Sequence, residues 1–178
     1  MSKEYPILFS GAMVQAILSG HKTQTRRLSD QWTKVKKGDR LWVRETWQAW
    51  THVSPEYDEW WPWDKCNRGP YSYNEYRDQY GGPDKVEYRA TSDSLGPWNP
   101  SIHMPRWASR ITLVATEDAR REPLQDITPS GVFAEGVRGL CPVPNFTDLW
   151  DSLNRKPGQR SSDNPDVSVV AFSVEEGA

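Results

Sequence analysis

Between Gly20 and Arg27 the chain reads Gly-His-Lys-Thr-Gln-Thr-Arg-Arg, which places an amine, two hydroxyls and two guanidiniums within eight residues. Ammonium and guanidinium groups are the side chains that hold phosphates, the first as point charges and the second as planar forks. If this segment is extended, its period of two sets Thr23 with Thr25 on one face and Lys22 with Gln24 on the other. Spacing alone assigns no further role to any of them.

The same residues open the densest basic segment of the chain. From His21 to Arg44 it carries Lys22, Arg26, Arg27, Lys34, Lys36, Lys37, Arg40 and Arg44, and the only acids are Asp30, Asp39 and the adjoining Glu45. Such a run is either a solvated face or a phosphate-binding patch. Trp42 and Trp47 are interleaved with it, which adds aromatic faces that stack on bases at roughly 1–3 kcal/mol each. Ten tryptophans exceed what a chain this size needs for packing, and Trp60, Trp61 and Trp63 crowd together around Pro62. Their plainer use is to anchor long loops onto a small barrel.

Elements that would position these groups follow from periodicity. Met13, Val14, Ile17 and Leu18 make one apolar stripe on a short helix over residues 11–20, and Gly20 stops it. His21 to Arg27 then reads as extended. A Lys-Lys-Gly-Asp turn leads into a strand over Leu41–Trp47, and a second strand is expected over Trp107–Thr116 with Ile111, Leu113 and Ala115 on one face. Thr128 is an N-cap with Pro129 behind it, starting a helix that Gly136 ends. A further helix is expected over Phe146–Asn154, with Phe146, Leu149, Trp150 and Leu153 as its buried stripe, and a closing strand over Asp166–Val174. Residues 51–101 hold most of the Tyr, Trp, Pro, Gly and Asp, and read as a long insertion in which only Lys85–Ala90 alternates clearly. The pattern is α+β, a small barrel of strands that pair over long separations, with flanking helices.

With 178 residues, one domain over 1–178 is expected. Hydrophobic residues make up 36% and charged residues 26%, and no apolar window is long enough to cross a bilayer. The start of the chain lacks a signal-peptide pattern, and a cytoplasmic protein with no membrane partner is expected. Cys66 and Cys141 are too far apart for a zinc or redox motif and read as free thiols. A net charge of −2 makes any electrostatic case for nucleic acid a local one. No metal and no cofactor is expected. His52 and His103 stand apart from acids or thiols and read as packing residues, and His21 is given no chemistry.

Ile17-Leu18-Ser19-Gly20 followed by Lys22-Thr23-Gln24-Thr25-Arg26-Arg27 resembles the opening motif of ASCH domains, in which a helix and a glycine precede Lys-Thr-x-Thr-x-Arg. The Gly38-Asp39 turn with its following strand, and Leu124-Gln125-Asp126-Ile127 ahead of Glu135-Gly136, resemble further landmarks of that family. Trp107–Ile111, Leu149–Asn154 and the closing strand look like its larger members, often encoded by phages and prophages. The resemblance covers roughly residues 6–50 and 103–174 and implies a PUA-like barrel related to domains that bind RNA or modified bases. One member type hydrolyses N-acetylcytidine, and carrying its motif over lands on Lys22, Thr25 and Glu135, with Arg27 at the family's arginine position. There Thr25 would be the nucleophile, Lys22 the group that takes its proton, and Glu135 the partner of the leaving amine. Arg26 after Thr25 and the aromatic insertion depart from the pattern, so substrate identity does not transfer.

The leading expectation is a module that binds a nucleoside, nucleotide, RNA or DNA, using Arg26, Arg27, Thr23, Arg40 and Arg44 on phosphates and Trp42, Trp47 and Trp107 on bases. An amidohydrolase acting on an acylated nucleoside through Lys22, Thr25 and Glu135 is the alternative. Against it stands the possibility that Lys22 and Glu135 form an ion pair that keeps the lysine protonated while Thr25 merely belongs to a strand. A ribonuclease, with Asp58, Glu59 and Asp64 as a weak metal set, and a host-interaction protein presenting the tryptophan-rich insertion are further alternatives. Oligomeric state is not legible.

Overall fold

The computed structural model describes residues 2–54, 59–63 and 83–175. In chain order its main elements are β1 (Glu4–Leu8), α1 (Gly11–Leu18), β2 (Gln24–Arg27), β3 (Arg40–Arg44), β4 (Trp47–Ser54), β5 (Glu59–Pro62) and β6 (Lys85–Tyr88), then β7 (Thr112–Ala115), β8 (Arg120–Pro123), α2 (Pro129–Ala134), α3 (Pro142–Leu153) and β9 (Asp166–Val174). They fall into two compact units, one of Met1–Ile7, Ala12–Val43 and Arg110–Ala178, the other of Leu8–Gly11 and Arg44–Ser109.

The first unit is α+β, built on a curled half-barrel sheet with few helices. Its strand order is β1-β3-β7-β9-β2, with β8 also paired to β9. The organising strand is β9, nearly continuous in β-branched residues, whose Val167, Ser168, Val169 and Val170 are all buried. One of its edges pairs antiparallel with β2, Thr25 opposite Val170 and Arg26 opposite Val169. Along the other edge run first β7 and then β8, both antiparallel. A strand segment buried on both faces has no room for charge, and β9 supplies none over its buried run Val167–Val170.

Helices α2 and α3 close over Leu124, Ile127, Val132, Val137, Phe146, Trp150, Val167 and Val169, one contiguous apolar cluster. Thr128 caps α2 by accepting a hydrogen bond from the Gly131 amide at 3.1 Å, with Pro129 following it. The closing strand and the α2 start lie where periodicity and capping put them. Helix α3 begins earlier than its apolar stripe indicates, at Pro142, and only Phe146 and Trp150 of the stripe are buried; Leu153 at its end is exposed.

Other boundaries differ from expectation. The strand expected over Leu41–Trp47 is split, because Glu45 and Thr46 separate β3 from β4. The strand expected over Trp107–Thr116 is shortened to β7, and Arg106–Ala108 forms a 3-10 turn. Strands β1 and β8 are additions that single-segment periodicity did not pick out: each is short, and β8 is charged except for its proline.

In the second unit the region expected as an insertion with one ordered segment contributes β5, β6 and the end of β4 to an antiparallel sheet, order β5-β4-β6. Trp47, Ala49, Trp63, Met104 and Ala108 form its apolar cluster, with Val86 and Tyr88 packed against it. The Tyr88 hydroxyl donates to the Ala108 carbonyl at 2.8 Å, and the Trp107 ring meets Trp47 edge-on at 5.7 Å between centroids. Among the described residues no helix is long and apolar enough to cross a membrane.

Candidate functional site

The Lys22 amine is delivered by two glycine turns. Helix α1 ends at Gly20, whose φ of 72° is left-handed, and the amides of His21 and Lys22 both donate to the Ala16 carbonyl, at 2.8 and 2.9 Å. Helix α2 ends on Glu135 followed by Gly136, at φ 82°. A methyl group at Gly136 would stand 3.0 Å from the Cβ atoms of both Ala16 and Lys22. The Glu-Gly pair is therefore one device: the glycine lets the two turns touch, and a lone bridge between Lys22 and Glu135 results.

At that bridge Lys22 Nζ donates to Glu135 Oε2 and to the Glu135 carbonyl, both at 2.8 Å. Arg26 Nη1 donates to the other carboxylate oxygen, Oε1, at 3.0 Å. The Arg26 guanidinium also reaches Glu122 on β8, at 2.6 Å from Nη2 and 3.1 Å from Nε. Arg120 in turn donates from Nε to the second oxygen of Glu122 at 3.2 Å. Lys22, Arg26 and Glu135 are 4%, 6% and 5% exposed, so the heart of this network lies out of water, while its outer end at Arg120 is exposed.

Burial pushes the Lys22 amine below the usual lysine range; the Glu135 carboxylate opposes that shift, and the Arg27 and Arg26 guanidiniums add to it. Arg27 is likewise held below the ordinary arginine value by burial, with Glu135 opposing. A buried lysine that is both paired with a carboxylate and crowded by two guanidiniums is the kind of perturbed group found at functional sites.

Beside the network lies an open cavity of about 310 Å³. Gln24 and Arg26 come from β2, Arg120 and Glu122 from β8, Asp126 and Thr128 from the approach to α2, and Ser130, Gly131 and Ala134 from α2 itself. Gln24 is fixed there by donating from its amide to the Gly131 carbonyl at 2.8 Å. The lining offers amide, hydroxyl, carboxylate and guanidinium groups, a set that reads a polar ring or sugar edge by hydrogen bonds.

Of the sequence-derived candidates, Lys22 and Glu135 meet, and Arg26 joins them. Thr25 is 3% exposed and hydrogen-bonded to neither; alternation along β2 turns it to the face opposite Gln24 and Arg26. Thr23 is exposed, and its backbone links Ala134 to Phe172. Arg40 pairs with Glu4 and Glu175. Trp42 and Arg44 are half-buried, Trp47 is in the core of the second unit, and Trp107 is 44% exposed. The carboxylates of Asp58, Glu59 and Asp64, like Cys66, lie outside the described residues and side chains, and Cys141 is an exposed free thiol. Among the described residues no group of three or more His, Cys, Asp or Glu is placed to hold a metal.

Glu122, Arg120 and Ser130 were not legible as site residues. Glu122 stands 96 residues from its Arg26 partner, in a strand too charged to stand out by pattern. In comparisons with known proteins, no family model, no curated protein and no solved structure matches this chain.

Proposed function

We propose that the chain is an ASCH-type, PUA-like module whose cavity between β2, β8 and α2 takes a modified nucleoside or nucleotide. What carries this reading is the cavity of about 310 Å³ backed by the Lys22–Glu135–Arg26 network. Its volume lies at the lower end of the ~300–1,000 Å³ usual for small-molecule sites, enough for one base and its sugar. Arg26, locked between two carboxylates, is a rigid donor wall, and a preorganised wall lowers the ordering cost of binding. The test is titration of nucleosides and nucleotides, acylated ones included, against the protein and against Ser130→Trp. Ser130 is exposed on the cavity wall and outside the ion-pair network, so the indole fills the space without unfolding the domain. Saturable binding lost in that variant is the expected result; equal binding by both proteins would remove the cavity from consideration.

A second reading, hydrolysis of an acylated nucleoside, is favoured by the burial that depresses the proton affinity of Lys22, while the ion pair with Glu135 works against it. Lys22 would take the Thr25 proton as Thr25 attacks the amide carbon, that proton would pass through Glu135 to the leaving amine, and water would then release the acyl group from Thr25. It ranks second because Thr25 and Lys22 are sealed from solvent, and a nucleophile must reach its substrate. Release of cytidine from N-acetylcytidine, abolished in Lys22→Ala and in Thr25→Val, would promote it above the first.

A further inference from the structure

The turn joining the 3-10 segment Asp30–Lys34 to β3 is built around two carboxylates that hold backbone amides. Asp39, 6% exposed, accepts from the Lys3 amide at 2.8 Å and from the Lys36 amide at 3.0 Å. Asp118 accepts from the Lys37 amide at 2.9 Å and from Lys36 Nζ at 3.0 Å. Gly38, at φ 86°, donates to the Ala115 carbonyl at 2.8 Å, and Arg40 donates from its amide to the Lys3 carbonyl at 2.8 Å. Around this pinned backbone lies a cavity of about 370 Å³ lined by Lys3, Lys34, Lys36, Lys37 and Asp39, with Ser2 and Gly38.

Asp39 spends both of its oxygens on peptide N–H groups, and Asp118 divides its own between the Lys37 amide and the Lys36 ammonium. Among the described residues only Lys36 of the four has an ion-pair partner, Asp118. With Lys36 offset by Asp118, Lys3, Lys34 and Lys37 bring three positive charges against the one negative charge of Asp39, a net of two, to one concavity on a chain whose net charge is −2. Like charges held together favour an anion between them.

We propose that this lysine cleft binds phosphate groups, those of a nucleotide's polyphosphate tail or of a single-stranded nucleic-acid backbone. Ammonium groups suit phosphate as point charges and impose no planar geometry, so recognition there follows charge and carries no base information. The cleft is lined by none of the residues of the cavity beside β2, and the proposal stands whether or not that cavity takes a base.

The test uses the full chain, a fluorescent oligouridylate and tripolyphosphate, with binding followed by anisotropy over a salt series. The variant is Lys34→Ala combined with Lys37→Ala; the Lys37 contact to Asp118 runs through its backbone amide and survives. Arg155→Ala with Lys156→Ala, outside the cleft, is the charge-matched control. Loss of two phosphate contacts lowers the slope of log affinity against log salt by about 1.4 for a single strand, at about 0.7 each. The expected result is that lower slope with weaker RNA binding in the cleft variant alone. Tripolyphosphate binding that is lost in the cleft variant, without RNA binding, would also support the cleft and assign it to a nucleotide tail. Equal affinity and slope in the cleft variant and the wild type, or no binding of either probe, would overturn the proposal.

Discussion

Lys22 and Glu135 are tied so closely that neither can be changed alone without leaving a charge in a dry place. Removing one partner of a buried pair costs about 3–5 kcal/mol, whereas replacing both by apolar groups of similar volume is often neutral. Lys22→Met and Glu135→Leu are each expected to lower unfolding free energy by about that amount, and the double variant to recover most of it, as urea titration would show. The pH dependence has a definite sign. With the folded-state pKa of Lys22 held below its ordinary 10.5, the unfolded chain binds more protons between the two values. The lysine's contribution to stability therefore rises with pH across that window, and Lys22→Met should flatten this limb of the stability curve. A Glu135→Leu variant that loses no stability would show the network to be loose.

At the level of elements, glycines and caps decide how the segments meet. Gly20 and Gly136 both hold left-handed backbone, at φ 72° and 82°, yet their surroundings differ: an added Cβ at Gly20 meets nothing within 4 Å, and at Gly136 it meets two Cβ atoms at 3.0 Å. Alanine at Gly20 should cost about 1–2 kcal/mol in backbone strain, and alanine at Gly136 should cost more by forcing α1 and α2 apart. Thermal unfolding of the two variants separates strain from contact. On α3, Asp151 accepts from the Ser161 amide at 2.6 Å and the Ser161 hydroxyl at 2.8 Å, and these bonds hold its carboxyl below the usual range. Its contribution is present above the unfolded carboxylate value of about 3.9 and is lost as pH falls through the lower folded value. Asp151→Asn should accordingly lose stability at neutral pH and show a shallower acid limb, as unfolding followed from pH 7 downwards would reveal.

For the molecule as a whole, stability in each unit rests on a small set of sealed apolar side chains. Leu113 on β7 and Met104 in the second unit are essentially inaccessible, and truncating either to alanine should cost about 2–5 kcal/mol, read from denaturant midpoints at unchanged slope. Charge is redistributed at this scale as well. The basic run from His21 to Arg44 reads as one patch in sequence, but folding brings Glu135 and Glu122 to Arg26, Glu175 to Arg40 and Asp118 to Lys36. The lysine cleft keeps a net positive charge.

Local pattern was enough for α1, the Thr128 cap, the stop at Gly136 and the full extent of β9, because capping, glycine turns and β-branched runs act over a few residues. It also grouped Lys22 with Gln24 on one face of the extended segment. Strands β1 and β8 escaped it, since short polar strands are defined by their partners rather than by their own composition. The candidate site depended on tertiary structure still more. Lys22 and Glu135 are 113 residues apart, and Arg26 and Glu122 are 96 apart; the contact of the two glycine turns places the first pair together, and the pairing of β2 and β8 on either side of β9 places the second. Residue type set which charges the chain carries, while desolvation, which depends on every neighbour in space, decided which of them are locked in pairs and which remain open to a ligand.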